Sequence, residues 1–276
     1  MNYFRLLRPF NWIKNFFIFV PIFFAKNIFA LEKFQATAEA FLVFCLLASS
    51  VYIVNDILDI ESDKNHSYKK DRPLASGKVS VAQAVFIEVL LLACVAGLIY
   101  YFIPQTAPIF LAYWVLNLLY SLFFKHIAVL DIVCVAIFYL LRVVVGAQAA
   151  QVPVSEWLIL CTLFLSLFLI IGKRKAEYRE EHRRKVLASY TGEFLNGLLV
   201  LSAGLSIISF SLYTILVAHS DWAVYSVIFV ILGIFRYTLL VFQDSHHEMP
   251  EKAIFGDPVL LAAAAGWAAI MFKVFY

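Results

Sequence analysis

Between Asn55 and Lys78 the chain reads NDILDIESDKNHSYKKDRPLASGK. Asn55, Asp59 and Asp63 recur at every fourth residue, and Asp56 precedes Asp59 and Asp63 by three and seven. In a helix those spacings place all four on one face. Carboxylates gathered there repel one another, and a hard divalent cation with oxygen ligands removes the repulsion. Mg²⁺ bridged to substrate phosphates is the common form of this arrangement. Asn55, Asp56, Asp59 and Asp63 are therefore candidate metal ligands, with Asp56, Asp59 and Asp63 as candidate catalytic residues. The basic residues that follow, Lys64, Lys69, Lys70, Arg72 and Lys78, suit the rest of a polyphosphate. A calcium loop would need a Gly at its sharp turn and a terminal Glu, and neither stands in register. The other reading is a solvated loop with charges at random; the ordered acidic spacing and the RPLASG turn after it speak for a site.

A second group lies in GKRKAEYREEHRRK, with Lys173, Arg174, Glu177, Tyr178 and Arg179. Lys173 and Arg174 are helical neighbours of Glu177. They are candidate substrate-binding residues with Glu177, and Lys173 is also a candidate catalytic residue. The stretch from Arg179 to Lys185 reads as a solvated or lipid-headgroup face. Arg142 stands inside an apolar run, where an arginine costs on the order of 2.5–3.5 kcal/mol. It must face a polar cavity, a carboxylate or a phosphate, and it is carried as a substrate-binding candidate; Asp131, earlier in the same run, is a remote candidate partner, and a structural ion pair with another helix is the alternative. Gly146 after it allows close approach of a helix or ligand. Tyr120 and Lys125 in YSLFFKH read either as membrane-edge anchors or as substrate-binding residues. So do Arg8, Trp12, Lys14 and Asn15 in RPFNWIKN, of which Lys14 and Asn15 are carried as substrate-binding candidates. Glu88 is expected near a membrane edge or facing the bundle. His246, His247 and Glu248 lack a third ligand nearby and are assigned no metal. Phe255-Gly256-Asp257-Pro258 reads as a turn.

The elements that must position these residues are membrane helices. Of 276 residues 63% are hydrophobic and 15% charged, and the mean hydropathy is +0.86, far above a soluble domain. Apolar segments of spanning length number about nine: 14–30, 36–57, 81–103, 106–124, 128–150, 156–172, 195–218, 222–243 and 257–275. The first follows Arg5, Arg8 and Lys14 without a small-residue cleavage site, so it is expected to be retained. With the N-terminus cytoplasmic and alternating sides, the two strongly basic loops fall on the cytoplasmic side. Only Lys26, Lys33 and Lys273 fall outside, with Arg142 within a span. The four cysteines, Cys45, Cys94, Cys134 and Cys161, all sit in apolar spans without metal-ligand spacing and read as small buried hydrophobes. No linker or low-complexity tract divides the chain. The expectation is an all-α polytopic membrane protein with a single domain over 1–276.

NDILDIESD followed by KKDRPLASG resembles the first Asp-rich motif of the UbiA superfamily of intramembrane prenyltransferases. The nine expected spans match that all-helical fold, and the resemblance covers essentially the whole chain. It implies helices around a central cavity whose cytoplasmic mouth holds Mg²⁺ on a diphosphate. Most members carry a second Asp-rich motif after the sixth span; here that position reads GKRKAEY, with no Asp. RPFNWIKN, the LRVVVGA run, the VPVSEW turn and the KRKAE segment together resemble another branch, the decaprenyl-phosphate phosphoribosyltransferases. That resemblance implies phosphoribosyl pyrophosphate as donor and a polyprenyl phosphate in the bilayer as acceptor. The basic replacement suits a site with two further phosphates to hold, those of the sugar and of the lipid. No nucleic-acid partner is expected, and self-association is left open. Two other readings stand beside it. One is an aromatic prenyltransferase of the same superfamily, against which the missing second motif counts. The other is a transporter, against which the absence of a clear internal repeat counts.

Overall fold

The computed structural model describes residues 2–65, 69–179, 185–218, 220–243 and 255–276. Arg183, Arg184, His246, His247, Glu248 and Lys252 lie outside the described residues. The described residues are helical, with no strand among them. The helices are α1 (Asn2–Leu7), α2 (Val20–Phe24), α3 (Leu31–Leu58), α4 (Ile60–Lys64), α5 (Val81–Phe102), α6 (Ala107–Leu122), α7 (Leu130–Ala149), α8 (Glu156–Tyr178), α9 (Gly192–Leu216), α10 (Asp221–Tyr225), α11 (Val227–Phe242) and α12 (Pro258–Phe275). Among the described residues seven helical segments are long and apolar enough to cross a membrane. The chain is thus an integral, multi-pass membrane protein.

Two of the nine expected spans fall short of that length. The fourth is the 16-residue α6. The first winds as a 3-10 helix over Pro9–Phe19 before α2. Eleven residues is long for this tighter helix, whose side chains eclipse at i and i+3. Trp12, Asn15 and Ile18 share that spacing. The indole of Trp12 donates to Ser49 at 3.0 Å, and Asn15 and Ile18 are buried.

The chain divides into two compact units: residues 1–125 with 138–154, and residues 126–137 with 155–276. In the first, α3 is the central post, packed against α1, the 3-10 helix, α5 and α6. Leu6, Ile53, Leu74, Val79 and Ala84 form one apolar cluster that ties α1, α3, the 72–80 turn and α5 together. α5 starts on a capping box, with Ser80 accepting from the Gln83 amide and the Gln83 side chain accepting from the Ser80 amide. Its far face leaves Phe86, Val89 and Leu90 exposed, as suits a helix against lipid. Cys94 is also exposed on α5, contrary to the expected burial; Cys45 and Cys134 are buried, and Cys161 is half-buried. Cysteine is small and apolar enough for the lipid face as well as the core.

In the second unit α8 packs on α9 and α11, and α11 on α12. Ser155 and Thr191 cap α8 and α9 by accepting from the Leu158 and Phe194 amides. Asp257 caps α12 by accepting from Val259 and Leu260, and it pairs with Arg236 at 2.8 Å. That pair holds the Asp257 carboxyl below its ordinary range. A Cβ on Gly172 would lie 2.8 Å from the Tyr237 ring, so glycine there lets α8 and α11 close up immediately before Lys173.

Candidate active site

The first unit carries the acidic face. α3 ends at Leu58, and Asp59 takes φ −100° and ψ 7° before α4 begins. The bend keeps helical register, because the Asp59 amide donates to Asn55 O at 2.9 Å and the Asp63 amide to Asp59 O at 2.8 Å. The four polar side chains therefore stay on one side through a kink that the spacing alone did not show.

Each carboxylate meets a cation drawn from elsewhere in the chain. Arg8 and Arg72 both donate to Asp56 Oδ1, Arg72 at 3.2 Å. Arg72 also donates to Asp63 Oδ2 at 2.6 Å. Lys125 Nζ stands 2.8 Å from Asp59 Oδ1. Asn55 Oδ1 accepts from Ser121 of α6. Asp56 Oδ2 is buried and has no hydrogen-bond partner among the described residues. A buried carboxylate oxygen left bare is costly. An oxygen-seeking cation would satisfy it.

The donor set, one amide oxygen and three carboxylates, fits Mg²⁺. Among the described residues no three His, Cys, Asp or Glu side chains converge as a ready-made cage. Asp56 and Asp63 turn to arginine, and Asp59 to lysine. A Mg²⁺ site that also uses substrate phosphates and water needs no all-protein cage.

Arg72 is presented by the turn that follows. The Ser76 amide donates to Arg72 O at 2.9 Å and the Val79 amide to Pro73 O at 3.0 Å. Gly77 has φ +71°, a conformation natural to glycine. Lys69 lies half-buried at the start of this turn and Lys70 is exposed. Arg8 lies over the Tyr52 ring, 5.2 Å from its centroid, and takes φ +50°, uncommon for a residue with a Cβ. The sequence offered Arg8 only among the opening anchors; its signal is a charge one residue before a proline that starts a helix.

Arg142 lies deeper in the first unit, and Asp131 is not its partner. Its Nε donates to Asn15 Oδ1 at 2.8 Å, one terminal nitrogen to Phe138 O at 2.7 Å, and the other to the Tyr113 hydroxyl at 3.2 Å. The rings of Phe44, Tyr113 and Tyr139 surround it, with centroids 4.9–5.4 Å away. An arginine among neutral acceptors and π faces is held in place by cation–π attraction and hydrogen bonds. Asn15 also donates to Cys45 Sγ at 3.2 Å. Arg142 thereby fixes the 3-10 helix that carries Lys14. A Cβ on Gly146 would overlap the Ile18 carbonyl, so the glycine admits that same helix. Tyr120 packs edge-on to Phe138 at 5.7 Å. Glu88 accepts from Ser50 at 2.5 Å and is buried, facing the interior of its unit.

The second unit carries the basic group. α8 runs on to Tyr178, six residues past the expected end of the span, so Lys173, Arg174 and Glu177 share one helix. Arg174 Nε donates to Asp131 Oδ2 at 2.8 Å and its Nη1 to Glu177 Oε2 at 2.8 Å. Lys173 Nζ is 3.8 Å from Glu177 Oε1. Tyr190 donates to Asp131 Oδ1 at 2.6 Å and accepts from the Val129 amide at 2.5 Å. Burial, then that bond to a carboxylate, pushes the Tyr190 hydroxyl up to about 12. Asp131 and Tyr190 were not expected here. For Asp131 the sequence signal is a carboxylate within an apolar run; Tyr190 carries none.

With this geometry in view, the likenesses to known proteins take on meaning. The UbiA prenyltransferase family profile matches residues 16–261. A decaprenyl-phosphate phosphoribosyltransferase of Mycobacterium tuberculosis is 33% identical, over 96% of this chain and 91% of the relative. One of Corynebacterium glutamicum is 33% identical, over 95% of this chain and 83% of that one. A solved UbiA homologue of Archaeoglobus fulgidus bound to GPP and Mg²⁺ shares the fold, with TM-score 0.74 at 20% identity, over 100% of this chain and 99% of that one.

Proposed function

We propose that this chain, which belongs to the UbiA prenyltransferase family, transfers 5-phosphoribose from phosphoribosyl pyrophosphate to a polyprenyl phosphate of the decaprenyl type and releases pyrophosphate. The observation that carries this reading is the contrast between one acidic face, Asn55 to Asp63, and an α8 end built on Lys173, Arg174 and Glu177. The first suits a metal–diphosphate leaving group; the second suits additional phosphates. Relatives named for this activity match nearly the whole chain.

Asn55, Asp56, Asp59 and Asp63 would hold Mg²⁺, which supplies charge stabilisation to the departing pyrophosphate. Arg72 and Lys125, already seated on these carboxylates, keep positive charge beside the leaving group, and Lys69 and Lys70, from the turn that carries Arg72, add to it. Lys14, on the segment that Arg142 and Asn15 fix, serves substrate binding with Tyr120. Lys173 takes a phosphate, supported by Arg174 and Glu177. A phosphate oxygen of the lipid forms a bond to the anomeric carbon as the bond from that carbon to pyrophosphate breaks, with inversion. No strong general base is required, because a lipid phosphate is ionised at neutral pH. The reading treats 1–276 as one transferase domain in the cytoplasmic membrane, with its reacting end at the cytoplasmic face.

A donor-swap assay tests it. Purified protein in detergent with Mg²⁺ receives labelled phosphoribosyl pyrophosphate and a polyprenyl phosphate; a parallel sample receives a polyprenyl diphosphate and 4-hydroxybenzoate. Label entering the lipid in the first, and lost in Asp59→Asn, is the expected result. Product only in the second returns the chain to prenyl transfer. That second reading is favoured by the fold shared with a homologue bound to GPP.

A further inference from the structure

We propose that Arg174 does not itself meet substrate: it answers the charge of Glu177 so that Lys173 can offer its own charge to a phosphate monoester, and Asp131 and Tyr190 are positioning residues that fix Arg174 for this task. The inference rests on the phosphoribosyl-transfer reading and deepens it.

The distances rank the contacts. Arg174 reaches Glu177 at 2.8 Å and Asp131 at 2.8 Å, both within charge-assisted hydrogen-bond length. Lys173 stands 3.8 Å from Glu177, beyond a hydrogen bond. Exposure runs in the same order: the side chain of Arg174 is 3% exposed, that of Glu177 14% and that of Lys173 29%. An incoming phosphate thus meets Lys173 before Arg174. If Glu177 had Lys173 as its sole counter-charge, moving the ammonium onto a phosphate would strip a half-buried carboxylate. With Arg174 seated on Glu177, that carboxylate keeps a counter-charge when Lys173 turns to a phosphate.

The remainder of the network fixes Arg174. Asp131 uses one oxygen on Arg174 and the other on Tyr190. The Tyr190 hydroxyl also accepts from Val129, whose φ is +70°. That conformation is an outlier for a β-branched residue, and it persists where surrounding contacts over-determine it. The turn into α7, Asp131 and the end of α8 are thereby joined through one phenol.

A compact ammonium suits a monoester phosphate, and two are expected: the 5-phosphate of the sugar and the phosphate of the lipid. Labelling of Lys173 by an amine-reactive reagent, read by mass spectrometry on the full chain in detergent, distinguishes them. One arm contains ribose 5-phosphate and the other geranyl phosphate. Protection of several-fold in either arm supports the proposal and names the phosphate. Tyr190→Phe should raise the ligand concentration needed for protection about tenfold, and Asp131→Asn serves as the second variant if that one does not fold. In turnover, Lys173→Gln should raise KM for the same substrate, and Tyr190→Phe added to it should bring no further rise. No protection in either arm overturns the proposal. So does a double variant whose losses multiply, or a Tyr190→Phe that lowers the unfolding temperature while leaving protection intact. If protection holds but wild-type protein transfers no phosphoribose, the transfer reading falls and the phosphate site stands.

Discussion

The acidic face of the first unit and the basic end of α8 in the second are both ion-pair networks, yet they are built in opposite ways. On the acidic face the counter-cations are partly exposed: Arg8 by 21%, Arg72 by 27% and Lys125 by 17%. One carboxylate oxygen, on Asp56, has no hydrogen-bond partner among the described residues. Around Arg174 the central pair is closed, with Asp131 and Arg174 both nearly inaccessible. The cations of the first network are exposed enough to turn to a ligand, although Asp56 and Asp63 beneath them are buried. Of Asp131, Arg174, Glu177 and Lys173 in the second, Lys173 alone is as exposed. An exchangeable network is what a site that must admit and release a polyanion requires; a closed one serves to hold something still.

Two substitutions would break this contrast most severely. Asp59→Asn should lower phosphoribosyl transfer by at least about 10²-fold, the scale of losing one charge-stabilising group. It should leave stability within about 1 kcal/mol, as for a partly exposed pair. Transfer rates across a Mg²⁺ titration, beside a denaturation curve in the same detergent, measure both. Arg174→Ala should do the reverse in stability. It leaves Asp131 buried without its partner, so a loss of about 3–5 kcal/mol is expected. Equal unfolding midpoints for the two variants would erase the distinction between the networks.

The contrast was half legible in the sequence. The acidic face was readable because its members lie on one helical run, where spacing reports geometry directly. The pairing of Glu177 with Lys173 and Arg174 was readable for the same reason, although α8 runs past the point where the apolar pattern ends. What spacing could not show was partnership between elements. Arg8 reaches Asp56 across 48 residues, and Arg174 reaches Asp131 across 43. Asp131 looked toward Arg142 only because both lie on one apolar run. Packing gave Asp131 to Arg174 and Tyr190, and gave Arg142 to Asn15 and an aromatic box. The 3-10 winding of residues 9–19 was likewise hidden, because an apolar run carries little information about the pitch at which it will wind.

A smaller effect separates glycines that position the networks from those that do not. Gly146→Ala drives a Cβ into the Ile18 carbonyl, so backbone must shift and a loss of about 1–3 kcal/mol is expected. Because Asn15 and Lys14 ride on the displaced segment, transfer should fall as well. Gly97→Ala meets nothing within 4 Å and should be neutral or stabilising by up to about 1 kcal/mol, as alanine favours the helix. Thermal unfolding of the pair, with wild type between them, is the check.

The smallest effect sharpens the closed network through pH. The Tyr190 hydroxyl is raised to about 12, against an ordinary tyrosine near 10. A group whose folded value lies above its unfolded one contributes stability that is complete below the unfolded value and is lost as pH rises through the folded one. Wild-type protein should therefore lose stability relative to Tyr190→Phe between about pH 10 and 12, the difference between them being constant below pH 9. The cause is specific: ionising the phenol would end its donation to Asp131 and set two negative charges 2.6 Å apart. Denaturant midpoints for the two proteins, taken at intervals from pH 7 upward, would show converging curves if that bond holds the turn. Parallel curves throughout would mean that Tyr190 contributes by packing alone.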